Sequence, residues 1–157
     1  MLSAWGNAPY AELSVVLVFL RHLSIVHQTN HWQAKGDSFY GDHKLFEEMY
    51  QHVLGEIDSV AERAVGLGQE SNVDPLTQMR QVLNVELALT QATIPSSNML
   101  VNRSLGCEQS FITNVSTLMS SMRDSGTLTL GVENFLSQVI DDHERHVYLL
   151  KRRNGAR

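Results

Sequence analysis

Four side chains on one stretch of this sequence are of types that bind divalent metal ions: His43 with Glu47 and, farther along, Asp58 with Glu62. Each pair is spaced by four, which sets both members on one side of a helix, where they can chelate. At about 100° per residue, with His43 at zero, Glu47, Asp58 and Glu62 fall near 40°, 60° and 100°, so all four share a stripe. That stripe borders the apolar face, where solvated charges have no reason to collect. His43 and Glu62 nevertheless stand nineteen residues apart, roughly 28 Å along a helix axis. One helix cannot deliver both to one ion. Two copies packed antiparallel across a two-fold axis can, because the His43 and Glu47 end of one then lies beside the Asp58 and Glu62 end of the other. His31, at the end of the preceding helix, can complete the histidine half. Imidazole with carboxylate suits iron, and also zinc or manganese. Glu47 beside Lys44 and Glu62 beside Arg63 admit the plainer reading of solvated charge.

Such a site needs long helices, and the apolar spacing supplies four. From about Glu12, the positions Leu13, Leu17, Leu20, Ser24, His27 and His31 recur at alternating steps of four and three, one stripe of a helix A closed by Gly36. Asp37 or Ser38 is available to cap the next element. Helix B is expected from about Phe39 to Leu67, its core face made by Phe46, Met49, Val53, Ile57, Val60 and Ala64 and its stop by Gly66 and Gly68. Gln69 to Ser97 carries Pro75 and Pro95 around a short helical pattern from Leu76 to Thr90, which reads as a long crossover holding a small helix. Helix C follows from about Asn98 to Arg123, then a break at Asp124, Ser125 and Gly126, and helix D from about Leu128 to Arg153. The expected fold is all-α, a four-helix bundle with a long B to C crossover.

At 157 residues and 43% hydrophobic content, the chain reads as a single domain over 1–157, with a short N-terminal segment 1–9 and a basic tail 151–157. The lone Cys107 excludes an internal disulfide and fits a cytoplasmic location. Met1 to Tyr10 lacks the pattern of a secretory signal. The apolar run Leu13 to Leu20 is eight residues, against the roughly 20 needed to cross a bilayer. A net charge of −5 argues against a surface built for nucleic acid. Lys151, Arg152, Arg153 and Arg157 could touch phosphate, but offsetting a helix C-terminus and ending in water is the favoured reading. Seven histidines are many for this length. His27 lies one turn before His31 and reads as a packed interior histidine, with a supporting or additional metal contact as the alternative. His52, about 180° from His43 on helix B, is expected to be exposed. His143 and His146, near Asp142 and Glu144, could share a metal at their spacing of three, although packing at the surface or an interface is favoured.

The segment Asn30-His31-Trp32-Gln33-Ala34-Lys35-Gly36, then Phe39, His43, Phe46, Glu47 and Tyr50, then Ile57-Asp58-Ser59-Val60-Ala61-Glu62-Arg63-Ala64 with Leu67-Gly68, resembles the signature of the Dps miniferritins. The likeness is dense from about Asn30 to Gly68 and looser elsewhere, with Asp142 and the helix layout extending it. It implies a ferritin-like bundle assembled into a dodecameric shell. Ferroxidase centres would sit at its two-fold interfaces, with His31 and His43 from one subunit and Asp58 and Glu62 from its neighbour. Glu47 stands where the family usually has aspartate, so its ligand reaches the second metal position directly or through water. The implied activity is that of an oxidoreductase acting on iron: Fe(II) is oxidised by hydrogen peroxide or dioxygen, and ferric mineral is stored inside, a defence against oxidative stress. Zinc at the same site is compatible with the ligands. Trp32 resembles the family's tryptophan near the centre, where it takes up stray oxidising equivalents; an aromatic packing role explains it equally. By the same analogy Asp124 and Glu133 line a threefold entry pore, and capping and solvation explain them equally. The family's other activity, DNA binding and compaction, is the alternative function, and this sequence has no Lys-rich N-terminal arm to serve it. No membrane association is expected.

Overall fold

The computed structural model describes residues 11–89 and 96–155; the segment 1–9, the crossover's Thr90 and Pro95, and Arg157 of the tail lie outside the described residues. The chain forms α1 (Ala11–Gln33), α2 (Phe39–Gly66), a 3-10 turn (Glu70–Val73), α3 (Pro75–Leu89), α4 (Ser97–Asp124) and α5 (Leu130–Arg153), with no strand among the described residues. None of these helices is long and apolar enough to cross a membrane.

The boundaries follow from turn chemistry. Gly36 takes a φ of +79°, open to glycine at little cost, and its carbonyl accepts from Phe39 N at 3.0 Å, so α1 turns sharply into α2. Ser38 precedes α2 as expected, but its hydroxyl does not cap the helix; it accepts from Arg153 Nη2 at 2.7 Å. Arg153 also grips the buried Asp42 through Nε to Oδ1 and through Nη2 to Oδ2 at 2.8 Å, a two-pronged contact that pins the end of α5 to the start of α2. Arg153 therefore does not simply end in water, as the reading of a solvated tail had it. Pro75 opens α3 at the position where a missing N–H costs nothing, and Asp74 Oδ2 accepts from Thr77 N at 2.9 Å. The helix α5 begins two residues later than the spacing implies, because Thr129 Oγ1 accepts from Val132 N at 3.3 Å and so caps it.

Short turns make α1 and α2 one antiparallel pair and α4 and α5 the other, with α1 packed on α4 to join them and α3 lying across α1. The apolar core falls into two clusters. One gathers Leu17, Leu20, Val53, Val60, Phe111, Val115, Met122, Leu136 and their neighbours. The other is Phe46, Met49, Leu100, Val101 and Leu150. Each of the fully enclosed Leu and Phe side chains contributes about 1.5–3 kcal/mol relative to exposure. On α1 the buried line runs through Leu20, Leu23, His27 and Asn30, and Ser24 is only half-buried. Between the two clusters lies a polar layer: His27, Glu56, Ser104, Glu108, His143 and His146 are all buried there, contributed by α1, α2, α4 and α5.

Candidate metal centres

Glu108 is the hub of that layer. Its Oε1 accepts from His27 Nε2 at 2.7 Å and from His146 Nδ1 at 3.0 Å, while its Oε2 accepts from His143 Nδ1 at 2.5 Å. His143 turns its other nitrogen to Glu56 Oε2 at 3.0 Å, so one ring bridges two carboxylates. Ser104 Oγ lies 3.0 Å from His27 Nδ1 and accepts from Asn30 Nδ2 at 2.7 Å, which makes Ser104 the donor to the imidazole and fixes the tautomer with the proton toward Glu108. Burial works against the charge of Glu108, yet the hydrogen bonds from His143, His146 and His27 hold its pKa well below the usual carboxylate range. Burial likewise opposes protonation of His143, but Glu108 and Glu56 outweigh it and raise its pKa to about 9. His27, fully enclosed, is pushed down by burial and stays neutral.

Around this buried hub stands an outer group. His52, with its side chain 39% exposed, sits at the mouth, Nδ1 4.0 Å from Glu56 Oε2 and Nε2 3.9 Å from Asp142 Oδ2. His52 is thus not merely exposed, as its place opposite His43 implies. His143 and His146 depart further from expectation: they are core residues, not surface or interface ones, because they continue the α5 line Leu136, Val139, His143, His146, Leu150. Glu56 and Glu108 went unnoticed in the sequence. Their signal was an acid on an apolar stripe, Glu108 in the series Val101, Ser104, Glu108, Phe111, Val115 and Glu56 in Met49, Val53, Glu56, Val60.

His31 and His43 come together at the α1 to α2 turn. Their rings stack with centroids 3.7 Å apart and planes 25° from parallel. Each anchors the other helix: His31 Nδ1 donates to the His43 carbonyl at 2.9 Å, and His43 Nδ1 donates to the His31 carbonyl at 3.1 Å. With both Nδ1 protons committed to carbonyls, both Nε2 lone pairs are left to bind a metal, the arrangement that ligating histidines use. Phe39 and Tyr50 flank the pair, ring centroids 5.1 Å from His43 and 5.4 Å from His31. Glu47 lies close enough that both histidines favour its charge, although Lys44, bonded to it at 2.5 Å, does so most.

Asp58 and Glu62 are exposed on α2 and stand apart from this pair within the chain, the nearer of them about four turns along the helix. Trp32 is 68% exposed beside His31. Glu133 is bonded to Arg123 at 2.6 Å across the α4 to α5 turn, and Asp124 is exposed next to it. Elsewhere, His22 lies under α3, its Nδ1 2.6 Å from Glu86 Oε1 and its Nε2 3.5 Å from Cys107 Sγ. Burial alone would lower its pKa; the contacts with Cys107 and Glu86 raise it to about 9.

A four-helix bundle with one long crossover, histidines and carboxylates facing inward from all four helices, defines a class of metal-handling helical proteins. A family profile described as Ferritin-like domain matches residues 11–153, and the chain belongs to that family. Within it, proteins and solved structures of the Dps type are among those the chain is similar to. It is 30% identical over 79 residues to "DNA protection during starvation protein 2" of Bacillus anthracis, covering 50% of this chain and 47% of that one. It superposes on a Dps variant of Listeria innocua with a TM-score of 0.81, at 14% identity and 96% coverage of both chains. With a Dps protein of Vibrio cholerae, described as one of a broad superfamily of ferritin-like diiron-carboxylate proteins, the TM-score is 0.74 at 18% identity, covering 90% of this chain and 85% of that one.

Proposed function

We propose that this protein takes Fe(II) as substrate, oxidises it at centres shared between two copies of the chain, and stores the ferric product within a dodecameric shell. The observation that carries this reading is the His31 and His43 pair, whose crossed Nδ1 to carbonyl bonds leave two Nε2 lone pairs aimed away from their anchors. Two neutral nitrogens with Glu47 nearby are half a coordination sphere for a borderline ion. The other half, Asp58 and Glu62, is too far along the same helix, so a second copy must bring it. The oxidant is hydrogen peroxide or dioxygen, in keeping with the family. With peroxide, two Fe(II) each give one electron, the O–O bond breaks, and two protons complete two waters.

The residues divide the work by charge. Asp58 and Glu62 offset the charge gained as Fe(II) becomes Fe(III), while His31 and His43 hold the ion without adding negative charge that would trap the ferric product. Stopped-flow oxidation of Fe(II) by peroxide tests the assignment. The variant carrying Asp58→Ala and Glu62→Ala should oxidise at least about 100-fold more slowly than wild type, beyond the range seen for the outer partners of metal ligands. Equal rates in an intact oligomer would overturn it.

A further inference from the structure

We propose that each chain also holds a divalent transition-metal ion inside its own bundle, bound by His27, Glu108 and His146 and reached past His52, which with Glu56 and Asp142 forms an outer group. This site is independent of the inter-subunit reading, since all of its residues belong to one chain.

Three observations carry it. First, one ligand atom from each of His27, Glu108 and His146 falls within 4.8 Å of the others, and all three residues are buried. Ligands bonded at about 2.1 Å to one tetrahedral ion stand roughly 3.4 Å apart. The present separations of 2.7 and 3.0 Å from Glu108 Oε1 would open by about 0.7 and 0.4 Å as the ion replaces the protons. Second, the layer is not satisfied by its own hydrogen bonds. Glu56 is 8% exposed, and its Oε1 is buried with no hydrogen-bond partner. His52 Nδ1 is buried and unpaired as well. Orphaned buried groups of this kind call for a missing partner. The separations of His52 from Glu56 and Asp142, 4.0 and 3.9 Å, are too long for hydrogen bonds but suit two ligands of one ion, and these three residues form a second convergent group. Third, a cleft of about 430 Å3 between α2 and α5, lined by Glu48, His52, Arg145 and His146 among others, opens onto both groups. A hydrated ion entering there meets His52 and His146, one member of each group. His143, bonded to both Glu56 and Glu108, positions the two carboxylates relative to each other. Imidazole nitrogens with carboxylate oxygens select first-row transition ions over Mg(II) or Ca(II).

Cobalt(II) is the probe, because its visible absorption reports coordination by nitrogen and oxygen. The assembled protein carrying Asp58→Asn and Glu62→Gln, with the inter-subunit centre silenced, should still bind about one tightly held Co(II) per chain that Zn(II) displaces and Mg(II) does not. Adding Glu108→Gln, close in shape to the native residue, should weaken that binding at least about tenfold. His52→Ala, at the half-exposed mouth, should slow uptake several-fold with the helix content unchanged. Should the silenced protein bind no Co(II), or bind it equally with Glu108→Gln and His52→Ala in place, the layer is a hydrogen-bond network only and the proposal fails. Loss of iron oxidation has no bearing on that result, so the two readings fail separately.

Discussion

The two histidine clusters both draw on α1 and α2, the inner one adding α4 and α5, and they are built in contrary ways. At the α1 to α2 turn, His31 and His43 spend their Nδ1 protons on main-chain carbonyls and face outward, with the acids that could complete them exposed far along α2. In the layer between the two apolar clusters, His27, His143 and His146 converge on Glu108 and Glu56 of the same chain, shut away from water. The first cluster is ordered but incomplete, so its chemistry depends on assembly. The second is complete within one chain, so its chemistry depends on folding. Burial sets the difference: an exposed half-site costs the monomer little, whereas charged groups inside a bundle must bring their partners with them.

Subunit mixing offers the sharpest way to break this contrast, and the largest effect. One variant carries His31→Ala and His43→Ala, the other Asp58→Ala and Glu62→Ala, and each alone should be nearly inactive toward Fe(II). Co-assembled in equal amounts, half the two-fold pairs are mixed, and each mixed pair regains one of its two centres, so about a quarter of the wild-type rate should return. A centre contained in one chain would give no recovery at all.

Next in size is the effect of the buried hub on stability. Glu108→Ala removes the acceptor of three enclosed histidines and should cost about 3–5 kcal/mol, the range for breaking a buried charged pair on one side. Asp58→Ala, at an exposed position, should stay within about 0.5 kcal/mol. Thermal unfolding measures both, and the first should lower the midpoint by roughly 10 °C or more. A midpoint for Glu108→Ala close to that for Asp58→Ala would mean that the layer is not the folding-dependent element described above.

The contrast also explains what was legible in the sequence. His31 and His43 were readable because both sit next to one short turn, and Gly36 fixes how α1 meets α2. The helices and the crossover were readable from apolar spacing, to within two residues at Thr129, where the cap decides the boundary. The inner layer was not, because it joins residues 35 to 87 positions apart whose contact depends on the register of four helices. Periodicity says that Glu108 lies on the apolar side of α4; it does not say that three histidines meet it there. Nothing in their spacing alone singles out Glu56 and Glu108, and His143 and His146, expected at the surface or an interface, are buried in the core instead.

The smallest predicted effect tests the exposed cluster alone. Lys44 Nζ holds Glu47 Oε2 at 2.5 Å, with the two side chains 50% and 27% exposed. If Glu47 joins His31 and His43 around iron, Lys44 competes with the ion for the same carboxylate. Lys44→Ala should then lower the KM for Fe(II) about two- to fivefold at unchanged kcat, the scale of an exposed ion pair. Added salt screens that pair, so the gap between variant and wild type should narrow as ionic strength rises. Binding of Co(II) in the inner layer, which Lys44 does not touch, should be the same in both proteins. A KM that does not move at low salt would leave Glu47 as solvated charge, and reduce the histidine half of the centre to His31 and His43.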